Sequence, residues 1–130
     1  MQAYRINLKP GSLISPAVVA GNLVFVSGLV GWDPETREAP RDVEAQTGQA
    51  LDNLKSVLEF AGASLKDVVK LNIYLTNIAG DFETMNRVFR RYFPDGPPAR
   101  TTVGVAALAR QDLMIEVEAV ALLPDALGSG

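Results

Sequence analysis

The sequence predicts a single α+β domain in which one sheet is backed by two helices. Three observations carry this. Two stretches, Asp42 to Gly62 and Asp81 to Pro94, place apolar residues at helical spacing. Around them lie segments that are β-branched throughout or alternate with period two. A chain of 130 residues also buries roughly two thirds of the surface its unfolded form exposes, enough for one core over residues 1–130 without staples.

Taken in order, the first ambiguous stretch runs from Gly11 to Trp32, which holds no charged residue and follows Arg5 and Lys9 as a signal peptide's apolar region would follow its basic one. Pro16 and Gly21-Asn22 interrupt it, so its apolar pieces are far shorter than the ~20 residues of a spanning helix. Two short strands around a turn are expected instead. Asn22 to Ser27 is apolar at both parities and closed by Gly28, which predicts a strand buried on both faces. Gly28 to Pro40 is rich in turn residues and reads equally as a site rim or a hairpin loop.

Asp42 is a suitable N-cap, and Val43, Ala50, Leu54, Val57, Leu58 and Ala61 then recur at helical spacing until Gly62 stops them. Val69, Leu71, Ile73 and Leu75 alternate with Lys70, Asn72, Tyr74 and Thr76, which predicts a strand. Asp81 is placed to cap a second helix with Phe82, Met85, Phe89 and Tyr92 on its apolar face, ended by Pro94. Arg87, Arg90 and Arg91 on that helix read as a solvated face near the negative end of the dipole, with an anion site as the alternative. Beyond the turn Pro94-Asp95-Gly96-Pro97-Pro98, strands are expected over Ala99 to Ala107 and Leu113 to Leu123, then a loose six-residue tail. The order is β-β-α-β-α-β-β. Two helices cover only one face of such a sheet, and the other keeps apolar side chains from the Leu23–Val26 and Ala119–Leu122 stretches. Self-association through the sheet is the expected cover.

Composition narrows the chemistry. The chain has no cysteine and no histidine, which removes Ser-His-Asp and Cys-His nucleophile pairs, disulfides and Cys/His zinc sites. A net charge of −3 supplies no overall positive field for phosphate backbones, so nucleic acid is not an expected partner, and with apolar pieces this short neither is a membrane. The absence of cysteine is compatible with a reducing cytoplasm. No Walker or dinucleotide glycine pattern occurs in its strand-turn-helix context.

Few residues remain as candidates. Arg100 is the one arginine inside a predicted strand, sharing a face with Thr102 and Gly104. Its fork suits a planar carboxylate, and the alternative is a strand-end arginine that snorkels to water or pairs with an acid. Glu116 and Glu118 share one face of the last strand, about 6 to 7 Å apart at their bases. They read weakly as a glycosidase acid/base pair and otherwise as solvated or salt-bridged carboxylates. Ser27 has no histidine to activate it, so a hydrogen-bonding hydroxyl is the modest reading.

The motifs together resemble the reactive intermediate deaminase family, RidA, also called YjgF, and the L-PSP endoribonucleases. The match runs through Val26-Ser27-Gly28, Asp33-Pro34-Glu35-Thr36, Gln46-Thr47, Asn53-Leu54-Lys55 and Ala61 to Lys70. It continues through Asp81-Phe82 with Asn86, Pro98-Ala99-Arg100-Thr101 and Ile115-Glu116-Val117-Glu118-Ala119. The resemblance implies a chorismate-mutase-like subunit with a mixed six-stranded sheet, assembled as a cytoplasmic homotrimer with clefts between subunits. It implies hydrolysis of 2-imino and 2-enamino acids, such as 2-aminoacrylate and 2-iminobutanoate, to 2-oxo acids and ammonia, with no cofactor and no metal. It places Arg100 on the substrate carboxylate, Glu116 on the attacking water, and Ser27, Gly28 and Thr102 along the substrate. Three positions depart from the family pattern: Ala17 stands for a tyrosine, Leu29 for a glutamine, and Thr102 for a cysteine, which implies a less polar pocket. A 2-oxo-acid-binding regulator without turnover, and a ribonuclease or translation inhibitor, are the rival functions; chaperone-like activity is a further one.

Overall fold

The computed structural model describes residues 2–124, so the tail expected over 125–130 lies outside the described residues. The elements are β1 Ala3–Ile6, β2 Ala17–Ala20, β3 Leu23–Val30, α1 Val43–Ala61, β4 Val68–Leu75, α2 Ile78–Tyr92, β5 Ala99–Gly104 and β6 Ile115–Leu122, with a 3-10 turn at Leu65–Asp67 before β4. They form one six-stranded sheet in the order β1-β2-β3-β6-β4-β5. All neighbours are antiparallel except β4 and β5, which run parallel because α2 carries the chain back across the sheet. Among the described residues no helix is long and apolar enough to cross a membrane.

The first helix matches its sequence signals at both ends. Asp42 Oδ1 accepts from the Ala45 amide at 2.8 Å, and Gly62 stops the helix in the left-handed region at φ 88°. The second helix begins earlier than expected, at Ile78 with Asn77 as N-cap rather than at Asp81. The Gly80 and Asp81 amides both reach the Asn77 carbonyl, so Asp81 lies in the first turn, where its charge complements the dipole.

Three further differences concern strands. β1 adds a strand to the five read from the pattern; mostly exposed, it offers no buried alternation for periodicity to detect. β3 does not end at Gly28. A register shift between Val26 and Leu29 leaves an extra residue at Ser27-Gly28, after which Leu29 and Val30 pair with Val117 and Glu116. A similar shift between Val68 and Lys70 turns Val69 outward and buries Val68 in its place. The last two strands are also shorter than expected, because the chain turns away after Gly104 and before Ile115.

Both helices lie on one face. Leu51, Leu54 and Leu58 of α1 and Met85 and Val88 of α2 pack on Val19, Val24, Leu71, Ile73, Ile115 and Val117. β3 is therefore buried on one face only: Val24 and Val26 point into this core, while Phe25 on the other side is 44% exposed. With Leu23, Val120 and Leu122 it forms an apolar strip at the β3/β6 end of the open face.

Gln46 fastens the loops to α1. It is fully buried, its Nε2 donates to the Pro40 and Asp112 carbonyls at 2.8 and 2.7 Å, and its Oε1 accepts from the Met114 amide at 2.8 Å. Gly31 lies so close to the same turn that a Cβ would come within 2.4 Å of the Gln46 carbonyl oxygen. The Gln46→Leu variant keeps the volume but strands three backbone groups, so it is expected to lose about 3 kcal/mol of stability in urea unfolding. A loss below ~1 kcal/mol would show that water replaces the amide.

Candidate active site

Arg100 sits at the start of β5, opposite Leu71 of β4, and so projects on the helix face. Its guanidinium carbon lies 4.8 Å from the centre of the Phe89 ring and 5.8 Å from that of Phe82. Nη1 donates to Asn86 Oδ1 at 2.7 Å. Phe82, Asn86 and Phe89 are spaced four and three residues apart on α2, so one helix face supplies all three partners. Among the described residues no carboxylate pairs with Arg100, whereas Arg87, Arg91 and Arg110 each meet one. The side chain is half-buried rather than snorkelled to water. Burial, and behind it the charge of Arg90, push its pKa below the usual guanidinium value, yet a guanidinium stays protonated at any physiological pH. It borders a pocket of about 410 Å³ shared with Asn86, Phe89, Arg90 and Phe93.

Thr102 lies two residues along the same face, opposite Ile73. Its Oγ1 is buried without a hydrogen-bond partner in the structure. A hydroxyl in that state costs stability, and it stands two residues from Arg100, a half-buried arginine that no acid among the described residues pairs.

Glu116 and Glu118 occupy the open face, opposite Tyr74 and Asn72 of β4. They differ in their neighbours. Glu118 accepts from the Tyr74 hydroxyl and from Asn72 Nδ2, while Glu116 accepts from no side chain or amide among the described residues. Desolvation, followed by the charge of Glu118, raises the Glu116 pKa above the ordinary carboxyl value. Its carboxylate lies over Gly28, where a Cβ would fall 2.2 Å from Oε2. Gly28 is thus required by space, and the bulge presents its bare backbone to the acid. Ser27, beside it, donates from Oγ to the Ser15 carbonyl at 2.5 Å, and its amide donates to the Pro16 carbonyl at 3.0 Å. The hydroxyl secures the chain before β2.

The structure therefore divides the expected residues into two groups. Arg100 and Thr102 lie on the helix face of an edge strand; Glu116 lies on the open face two strands away, with Gly28 beside it on the next strand. Ala17 is fully buried and Leu29 packs on the core, both on the helix side, so neither lines the face that carries Glu116. Among the described residues no three metal-ligating side chains cluster. Asn86, Phe82 and Phe89 are the site residues that sequence reasoning missed as such. Phe82 and Phe89 read there as an apolar helix face, and Phe82 with Asn86 as part of the family match without a site role, although their spacing marks one surface.

A family model described as Endoribonuclease L-PSP matches residues 7–123. The chain belongs to this family, that of RidA. This RidA-family chain is 45% identical over 114 residues to a RutC family protein of Pyrococcus abyssi, a match spanning 87% of this chain and 88% of the relative. It is 39% identical to the 2-iminobutanoate/2-iminopropanoate deaminase of Escherichia coli over 105 residues, 78% of this chain and 80% of that one. Among solved structures, RidA from an Antarctic Psychrobacter superposes with a TM-score of 0.85 at 38% identity, covering 92% of this chain and 99% of the other. Escherichia coli TdcF with bound serine gives 0.83 at 33% identity, covering 92% and 98%. The mixed sheet with two helices is the fold of these relatives.

A folded-state pKa raised by burial means that ionised Glu116 costs stability, and the cost vanishes once the carboxyl is protonated in both states. The Glu116→Gln variant is expected to melt at a higher temperature than the parent at pH 7, with the difference shrinking as pH falls through the carboxyl range. A parent that is the more stable at pH 7 would contradict this assignment.

Proposed function

We propose that this protein hydrolyses 2-imino and 2-enamino acids to 2-oxo acids and ammonia, in clefts formed between copies of the chain in a homotrimer. The observation that carries the reading is the pair of uncompensated groups: a half-buried arginine without an acid, and a desolvated glutamate without a donor. Their placement on opposite faces supports an intersubunit site, because one small substrate cannot reach both on a single chain. The open apolar strip beside Glu116 is a surface on which a second copy can seat. The relative named for 2-iminobutanoate and 2-iminopropanoate supports the substrate class.

The chemistry follows from the two groups. Arg100, held by Asn86, takes the substrate carboxylate with its remaining N–H donors. The substrate reacts as its iminium: Glu116 accepts a proton from water as the oxygen attacks the imine carbon, and the C=N π electrons move to nitrogen, giving a neutral carbinolamine. Glu116 then returns its proton to the amine, the C–N bond breaks as the C=O bond forms, ammonia leaves, and the hydroxyl proton passes to solvent water. An enamine first takes a proton at its terminal carbon to become this iminium. A carboxyl held above its ordinary pKa by burial suits this exchange because it is a better base toward water than a free carboxylate and still returns the proton to the amine. Imine hydrolysis is intrinsically easy, so positioning supplies much of the gain without a nucleophilic Cys or His. Gly28 leaves room at the acid, Ser27 steadies the wall behind it, and Thr102 offers a hydroxyl on the Arg100 side.

The test uses imine released in situ by a pyridoxal-phosphate threonine dehydratase, following 2-oxobutanoate formation. Arg100→Ala and Glu116→Ala are each expected to lower kcat/KM about a hundredfold, and Glu118→Ala far less. A parent protein that does not accelerate hydrolysis but binds 2-oxo acids would overturn the enzyme reading in favour of a binding protein. Equal losses at Glu116 and Glu118 would show that the carboxylate is misassigned.

A further inference from the structure

The three arginines of α2 do not share one fate. Arg87 and Arg91 reach across to Glu44 of α1, at 3.1 and 3.4 Å, and neutralise it on the exposed helix surface. Arg90 points elsewhere: it lines the Arg100 pocket and has no acid partner among the described residues. The rest of that lining is Asn86, two phenylalanines and three prolines, with no carboxylate. Two arginines, Arg100 half-buried and Arg90 exposed at the rim, thus line a pocket whose other residues are mostly apolar, and its one neutral amide, Asn86, accepts from Arg100. Behind burial, the positive charge of Arg90 is the second cause that lowers the Arg100 pKa.

We infer that the pocket around Arg100 selects 2-imino acids bearing a second negative charge on the side chain, and that Arg90 is the residue that reads this charge. The inference rests on the proposed role of Arg100 as the carboxylate anchor. A monoanionic substrate offsets one of the two cations and leaves the other unmatched; a dianion offsets both. The apolar walls raise the worth of that match, since charges interact more strongly beside low-dielectric surface than in open water. They also accept the methylenes of a short dicarboxylate, and about 410 Å³ is ample for a five-carbon acid. The reaction is unchanged: one water adds across the C=N bond, and a 2-oxo dicarboxylate and ammonia leave. The class of reaction that supplies such a substrate is two-electron oxidation at the α-carbon of an acidic amino acid, or elimination of water from its β-hydroxy form.

The products serve as probes, because they carry the same charges as the imines and do not turn over. Calorimetric titrations would compare 2-oxoglutarate with pyruvate on the parent protein and on Arg90→Ala, Arg91→Ala and Arg100→Ala. The parent is expected to prefer 2-oxoglutarate by about fivefold at low ionic strength. Arg90→Ala should abolish the preference, Arg91→Ala should retain it because Arg91 faces Glu44, and added salt should shrink it. A parent that binds both acids equally, or a preference that survives Arg90→Ala, would overturn the inference while leaving the anchor role intact. Failure of the parent to bind either acid, or binding unaffected by Arg100→Ala, would instead sink the underlying function.

Discussion

The structure turns on the pairing register of the strands at one end of its sheet. Helices cover one face only, so a side chain's parity decides whether it meets α2 or the open side. Arg100 pairs with Leu71, and Glu116 pairs with Tyr74. The one-residue offset in parity sends the arginine to the helices and the glutamate away from them. β4 also stands between their strands, which adds roughly 10 Å of lateral separation. Under the proposed function this separation is what makes assembly obligatory, because the edge strand of one copy has to present its arginine to the open face of another.

The distribution of unsatisfied groups points the same way. Several polar groups elsewhere are well matched: Gln46 makes three hydrogen bonds in holding loops, Asn53 donates to the Val30 and Trp32 carbonyls, and Arg110 forks onto Asp112. The guanidiniums of Arg37 and Arg110 both approach the Trp32 ring, which ties the loop after β3 to the segment before β6. By contrast, among the described residues Arg100 holds only a neutral partner, Glu116 accepts no hydrogen bond, and the buried Thr102 hydroxyl has no partner; under the proposed function all three face substrate. Folding tolerates such costs where a ligand repays them, and the bulge at Ser27-Gly28 is the device that sets the acid against bare backbone.

Much of this was legible in the chain itself. Asp42 and Gly62 mark α1 because each acts on its own local backbone, and parity correctly separates Arg100 and Thr102 from Thr101. What escaped depends on contacts between distant segments. The first strand is mostly exposed and carries no pattern; Asn77 starts α2 without a side-chain cap that would distinguish it from Asp81. Both bulges shift parity by one residue, so Val68 rather than Val69 enters the core. Glu116 and Glu118 share a face, and only Tyr74 and Asn72, more than 40 residues earlier in sequence, tell them apart. The same holds for Arg90, which looks like Arg87 and Arg91 until the pocket on its side of α2 is seen.

The most direct test of an intersubunit site is complementation between inactive variants. Arg100→Ala and Glu116→Ala proteins would be unfolded together in equal amounts, refolded, and assayed for imine hydrolysis beside each variant refolded alone. In a closed ring where each site takes Arg100 from one copy and Glu116 from its neighbour, random mixing leaves about one site in four with both residues. The account predicts recovery of about a quarter of the parent activity from two nearly inactive components. No recovery, with mixed oligomers shown to have formed, would place both residues' work within one chain and contradict it.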